Sequence, residues 1–467
     1  MKADIGLNRL VYEYFEARIL YGHYKCGESL PSIHKICLMF HLAPATVRNA
    51  LASLEKEGYV RVDPRTAAMV VYKAGPAGFR ENAARYFVPR KAGIADYVLS
   101  EKLLFEPLWR EGLKRWKDED WKRLLDNMKH PAGGAVSMPV ELFILAFRAL
   151  DNRLFLNLYW EAVRYIRFAY LTVQEDQAVF TDQELEGLSR EDVISLLGQT
   201  FESWYGPATA DLFSFIEQSQ KAYGLEEAQQ IPFYWNIYRK RPQLRYTLAS
   251  RILREIVSGY YPRGTYLPSL PQMAQRYEVS FNTVRRTLVI LDSMGITRSF
   301  HGKGTLVLAE SGKADLANPE IREGMGLYIE SLHLITLTIE QVVRHTLENA
   351  AEDAVEKLKY DVWQLRKKKK SYMFFDVALA FIVGNCRLNL VKECYNKLRE
   401  LIVWGYPVVL LRLKERDIHM EYEDIVDQAG RYLGEGNVEA FSDKVKAMME
   451  REYQEVRIFL ESIDTPQ

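Results

Sequence analysis

The sequence predicts a mainly α protein built by internal duplication. A small three-helix domain closed by a β-hairpin is followed by an all-helical bundle, and the pair then recurs. Three observations carry this. Shifted by 237 residues, positions 8–71 lie on 245–308 without a gap, and 15 of the 64 pairs are identical. Apolar residues recur at helical spacing in both copies, while convincing strand patterns are confined to the end of each copy. The chain has 467 residues, 48% hydrophobic and 27% charged; that is an ordinary globular composition and more chain than one core usually serves.

Each element of the small domain follows in order. Val11, Phe15 and Ile19 pair with Leu248, Ile252 and Ile256, an i, i+4, i+8 stripe that predicts a first helix. Leu30-Pro31-Ser32 pairs with Leu267-Pro268-Ser269. There the serine hydroxyl can accept a free N–H of the next helix, and the proline stops that helix from extending backwards. Ile33, Ile36 and Phe40, with Leu270, Met273 and Tyr277, give the second helix its apolar face.

A third helix carries Thr46-Val47-Arg48 and Thr283-Val284-Arg285 on its first turns. Ser280 can cap the second copy. Ala43 cannot cap the first, although Pro44 suits the first helical position. Gly58 and Gly295 end these helices. Strands are expected at 59–62 and 68–71, joined by Asp63-Pro64-Arg65-Thr66-Ala67. In the second copy they are expected at 296–300 and 305–308, joined by His301-Gly302-Lys303-Gly304.

This combination resembles the GntR family of bacterial regulators: G-x-x-L-P-S, then T-V-R, then a glycine-bounded hairpin ending in G-T-L-V. The resemblance covers about 64 residues twice. It implies a winged helix-turn-helix in each half, with the third helix in the DNA major groove and the wing tip along the minor groove. The DNA-contacting residues it implies are Thr46, Arg48, Asn49, Arg61 and Arg65 in the first copy. In the second they are Ser269, Ser280, Asn282, Thr283, Arg285, Arg286, Arg298, His301, Gly302 and Lys303. Arginine suits bidentate contact with guanine, and asparagine suits adenine.

The sequence departs from the family pattern at His34, Pro44, Pro271 and Phe281, where arginine or Ser-Arg is usual, and at Arg65 and Ala67, which replace wing glycines. Charge is asymmetric as well. Positions 245–308 hold nine Arg or Lys against three Asp or Glu, net +6, whereas 8–71 hold eight against six, net +2. Phosphate neutralisation supplies most nonspecific affinity, so the second copy should bind DNA more strongly.

Domains are expected at 1–75, 79–243, 244–309 and 318–463, with breaks near 74–78, 239–243 and 310–313. The two longer segments correspond at a shift of 232, which sets Leu156-Asn157-Leu158 on Leu388-Asn389-Leu390 and Glu191-Asp192 on Glu423-Asp424. They resemble the helical effector domain of FadR-like GntR regulators. Many relatives bind a metal there through Asp-x-x-x-His. The matching stretches, 139–143 and 371–376, lack histidine, so no metal is expected. His130, His333, His345 and His419 read as scattered surface or core residues, and Trp160, Tyr165 and Tyr170 as core. The basic run Arg366-Lys367-Lys368-Lys369-Lys370 reads as a solvated helix end.

Four cysteines without a C-x-x-C pair argue against zinc or a disulfide framework and fit a reducing cytoplasm. No signal peptide and no membrane-spanning stretch is expected, and no P-loop or G-x-S-x-G elbow points to an enzyme or a cofactor. The reading is a cytoplasmic, sequence-specific DNA-binding regulator, either constitutive or responsive to a small-molecule effector held in a helical domain. It would act on a double-stranded operator as an intramolecular pseudo-dimer or a homodimer. The alternative is an interaction or scaffold protein whose winged helices have lost DNA.

Overall fold

The computed structural model describes residues 5–40, 42–63, 65–129, 137–167, 180, 182–237, 243–257, 259–308, 318–415 and 417–464. The chain forms two compact units, Met1–Tyr234 and Trp235–Gln467.

In the first unit, helices α1 (Ile5–Leu20), α2 (Ile33–Phe40) and α3 (Pro44–Lys56) precede strands β1 (Val60–Arg61) and β2 (Met69–Val70). Val11, Phe15, Ile36, Val47, Leu51 and Leu54 are buried together, which is the stripe the spacing predicts. Tyr14 packs edge-on against Phe15 and Phe40, with ring centroids 5.1 Å apart in each case. Such aromatic pairs add to the stabilisation from burial alone.

A helical part follows: α4 (Pro76–Phe87), α5 (Lys91–Leu104), α6 (Glu106–Lys114), α7 (Asp118–Lys129), α8 (Ser137–Ala149), α9 (Arg153–Ile166), the short α10 (Asp182–Leu185) and α11 (Arg190–Ala222). A 3-10 turn at Val88–Arg90 separates α4 from α5. Pro89 lies within it; its ring and missing N–H disfavour a continuous α-helix there.

The second unit repeats the plan with α12 (Gln243–Val257), α13 (Leu270–Tyr277), α14 (Phe281–Ser293), β3 (Thr297–Phe300) and β4 (Gly304–Val307). Its helical part is α15 (Pro319–Asn349), α16 (Glu352–Lys367), α17 (Phe374–Asn385), α18 (Asn389–Ile402), α19 (Tyr406–Glu415), α20 (Ile418–Gly434) and α21 (Val438–Asp464). No proline interrupts α15, which runs unbroken for 31 residues. The last two helices part at Gly436, whose φ is +72°.

The duplication extends to individual hydrogen bonds. Gly27 N–H donates to the Val70 carbonyl and Gly264 N–H to that of Val307, both at 2.9 Å. Leu30 to Ala68 and Leu267 to Thr305 are both 2.8 Å. Each hairpin is therefore tied to the segment before the second helix by a single antiparallel bridge, Ser29 with Met69 and Tyr266 with Leu306.

The helical parts also correspond, but in a different register from the one the letters suggest. Buried Leu154, Phe155, Leu158, Tyr159 and Ala162 of α9 match buried Leu390, Val391, Cys394, Tyr395 and Leu398 of α18 at a shift of 236. Leu156-Asn157-Leu158 and Leu388-Asn389-Leu390 are thus not equivalent. Likewise Glu191 and Asp192 lie in the first turn of α11, whereas Glu423 and Asp424 lie within α20. Burial periodicity, not letter identity, sets equivalence in a helical bundle.

The winged helix and the helical part of each unit meet along a polar seam. In the first, Arg164 of α9 makes a bidentate contact with Glu13 of α1, with Nη2 to Oε1 at 2.8 Å, and Arg167 reaches Glu16 at 2.8 Å. In the second, Ser250 of α12 donates to the Glu400 carbonyl at 2.7 Å and Thr247 to the Glu400 carboxylate at 3.2 Å.

Trp160 is buried, and the Tyr165 hydroxyl donates to the Ile231 carbonyl at 2.6 Å; Tyr170 and His130 lie outside the described residues. His333 stacks on Tyr453, and buried His419 accepts the Ser371 N–H through Nδ1 at 3.2 Å. All four cysteines are free thiols. Among the described residues no helix is long and apolar enough to cross a membrane, and no group of three His, Cys, Asp or Glu side chains is placed to hold a metal ion.

Candidate nucleic-acid interface

The surface that could meet DNA is built from the third helix and the hairpin of each small domain. Helix α14 begins where the Ser280 hydroxyl accepts the Thr283 N–H at 3.1 Å. Helix α3 begins at Pro44 with no side-chain cap on Ala43. Both helices end in the same way. Gly58 (φ +81°) and Gly295 (φ +73°) adopt the left-handed conformation. Their N–H groups donate to Glu55 and Asp292 carbonyls, and those of Tyr59 and Ile296 donate to Leu54 and Leu291.

Val47, Leu51 and Leu54, with Val284, Leu288 and Leu291, turn one face of each helix into the core. The opposite face is left to solvent. On α14 it presents Asn282, Arg285 and Arg286, with Phe281 56% and Val289 58% exposed; on α3 it presents Ala45, Arg48, Asn49 and Ala52. Among the described residues, no carboxylate pairs with Arg48, Arg285 or Arg286. Their guanidinium groups keep all their donors for a ligand.

Of the remaining sequence-derived candidates, Thr46 is buried with 8% exposure, so it offers little to a groove. Thr283 is half-buried, and its hydroxyl lies 2.8 Å from that of Ser280. Ser269 is exposed but engaged as a cap: its N–H and hydroxyl both donate to Gln272 Oε1, at 2.9 and 2.8 Å.

The two wings differ. In the second, four residue pairs join β3 to β4, from Thr297 with Val307 to Phe300 with Gly304. Its tip, His301-Gly302-Lys303, is exposed and closed by Lys303 N–H to the Phe300 carbonyl at 3.2 Å. Gly302 has φ +73°, which a side chain would strain. Arg298 is exposed, with its guanidinium 5.6 Å from the Phe300 ring centroid. In the first wing only two pairs form, Val60 with Val70 and Arg61 with Met69. The tip turns on Asp63, whose carboxylate accepts the Arg65 N–H at 2.7 Å. Arg61 and Arg65 are exposed there.

Sequence reasoning missed how the wing is fixed to the helix. Asp292 accepts the Ser299 N–H at 3.0 Å and also the Thr297 hydroxyl. Glu55, at the same repeat position, accepts the Val62 N–H at 2.7 Å. The signal was present as an acidic residue conserved between the two copies near the end of each third helix. The net charge also overstates the second interface. Arg276 is held by the Tyr260 and Tyr261 hydroxyls at 2.9 Å each and by Glu255 at 3.2 Å. Arg251 and Arg254 lie on α12, facing a cavity rather than the recognition surface.

Residues 7–70 and 244–307 each match the family described as bacterial regulatory proteins, gntR family. No curated protein matches the chain. Among solved structures, the chain is similar to a GntR protein from Rhodococcus sp. RHA1, at 16% identity over 46% of this chain and 98% of that one, with a TM-score of 0.28. It is similar to a GntR-family transcriptional regulator from Pseudomonas syringae pv. tomato str. DC3000, at 19% identity over 48% and 89%, with a TM-score of 0.21. A third, McbR/YncC of E. coli, is 17% identical over 47% and 100%, with a TM-score of 0.25. Residues 7–70 and 244–307 are thus two gntR-family domains of the bacterial regulatory type, and this homology supports a DNA-binding transcription regulator.

Proposed function

We propose that the chain is a sequence-specific regulator whose two winged helices engage one operator, the second more tightly than the first. The observation that carries this is the free face of α14. It sets Asn282, Arg285 and Arg286 side by side, unpaired among the described residues, next to a wing bearing Arg298, His301 and Lys303. Guanidinium and amide groups on the first half of a helix suit base edges in a major groove, and cations on a hairpin suit phosphates. In this reading the domains, in chain order, are a winged helix at 1–75, a helical effector-like part at 79–243, a second winged helix at 244–309 and a second helical effector-like part at 318–463.

One chain supplies both DNA-binding modules, so docking of the second is intramolecular and benefits from a high effective concentration. The faces differ, Asn49 standing where the other copy has Arg286. An asymmetric operator is therefore expected, with half-sites about one helical turn apart, roughly 34–36 Å. The protein would act in the cytoplasm, without catalysis and without a cofactor.

A second reading applies to the first winged helix alone, as a protein-contact module. Its short two-pair wing, buried Thr46 and uncapped α3 favour it.

The deciding experiment is selection of bound DNA from a random library, with mobility shifts at about 50 mM salt, where electrostatic binding is strong. Absence of any shift favours the interaction protein. Light scattering on the complex with footprinting tests the pseudo-dimer; two chains per operator, or one protected half-site, refutes it.

A further inference from the structure

The second unit contains a cavity of about 800 Å³ between α12, the first helix of its winged helix, and the helical part. Arg251 and Arg254 enter from α12, Arg399 from α18, and Lys368 and Lys370 from the end of α16. The carboxylates that also line it are already paired. Asp376 takes Arg399 through both oxygens at 3.0 and 3.3 Å, and Glu452 takes Arg412 at 2.7 Å. Glu255 takes Arg276 at 3.2 Å and Asp361 takes Lys357 at 2.6 Å.

Arg254 is left, half-buried, with no ion pair to a carboxylate among the described residues. Withdrawal from water, and then the neighbouring Arg399, hold its pKa below the usual guanidinium value. Asp376 and Glu400 offset this only in part: burial and the like charge of Arg399 prevail, so a further anion beside Arg254 would stabilise its charge. Tyr372, Phe375, Tyr406 and Val409 give the cavity an apolar side.

We propose that this cavity binds a small organic anion, a carboxylate or phosphate with an apolar or aromatic portion, its charge held between Arg254 and Arg399 under a rim of Lys368 and Lys370. The basic run thus gains a role beyond solvation. The first unit does not repeat this arrangement at the corresponding positions. At the positions of Arg251 and Arg254 the first unit has Tyr14 and Ala17, and its seam is closed by Glu13 and Glu16 on Arg164 and Arg167. An anion here would join α12 to the helical part and so shift the winged helix between states. This consequence, though not the binding, rests on the regulator reading; DNA and anion would then alter each other's affinity by the same factor.

The test is calorimetry of the full chain without DNA, titrated with inorganic phosphate, citrate and phenyl phosphate. The expected result is one site per chain for at least one of the three. In Arg254→Met, which keeps the apolar stem and a wild-type melting curve, that affinity falls about tenfold or more. Phosphate against citrate separates the two anion chemistries. No binding of any probe up to about 10 mM, or equal binding by Arg254→Met, overturns the proposal. Because DNA is absent, failure of operator binding in a mobility shift leaves this outcome independent.

Discussion

Replacing Arg285 and Arg286 together by alanine is the sharpest perturbation of the proposed interface. Both side chains are exposed and pair with no carboxylate among the described residues, and neither contributes to the Ser280 cap or the Val284, Leu288, Leu291 core. Alanine also has the best helix propensity, so α14 should keep its stability. The whole effect should fall on DNA. If both guanidinium groups read bases, the loss is about 1–3 kcal/mol each, or roughly 2–6 kcal/mol together. If both contact phosphates, the salt slope of log affinity becomes shallower by about 0.9 per contact, roughly 1.8 in all. Fluorescence anisotropy on a library-selected duplex, repeated over a salt series, separates the cases. Unchanged affinity and unchanged slope, in a variant with wild-type circular dichroism and melting, would refute the assignment of α14.

Asp292→Ala should release β3 from α14 and leave the buried Thr297 hydroxyl without its carboxylate, costing about 1.5–3 kcal/mol, read as a lower urea midpoint. Gly302→Val should strain the φ +73° tip by about 1–2 kcal/mol and weaken DNA binding while leaving the helical parts intact; wild-type binding would count against a role for this wing. Glu452→Ala leaves buried Arg412 with Glu421 as its one carboxylate and takes the acceptor from the Tyr328 and Tyr422 hydroxyls; it should cost about 1.5–3 kcal/mol by denaturant unfolding, whereas a cost near zero would mean the Glu452 contacts contribute nothing. Removal of the Glu101 carboxyl from water, with Glu106 and Glu202 adding to it, raises its pKa from 4.5 to about 7. The folded state therefore holds this proton longer than the unfolded chain, so stability is lost as pH rises from 4.5 to about 7 and levels off above it. Glu101→Gln should remove that part of the pH dependence, and an unchanged pH–stability curve would contradict it.

Local chemistry wrote the small domains legibly. Ser32, Ser269 and Ser280 sit at helix starts, and Gly58 and Gly295 take the positive φ that ends the third helices. The i, i+4, i+8 stripes are buried where their spacing placed them. Caps, turns and stripes act within one or two turns of chain, so a single sequence reveals them. The recognition face followed for the same reason: once Val284, Leu288 and Leu291 point inward, Asn282, Arg285 and Arg286 must point out.

The helical parts were legible only as helices. Matching Leu-Asn-Leu by letters displaced α9 against α18, because identical polar residues carry less information than the phase of the buried stripe. The sequence alone determined the duplication, the two winged helices and their exposed basic faces, all of which arise from short-range periodicity and backbone preference. Only the tertiary structure decided that Thr46 is buried, that Arg276 is tied to tyrosines, that Glu55 and Asp292 hold the wings, and that Arg254 meets Arg399 across a cavity. Each of these depends on which side chains from distant segments share one space, and packing sets that only when the helices close on one another.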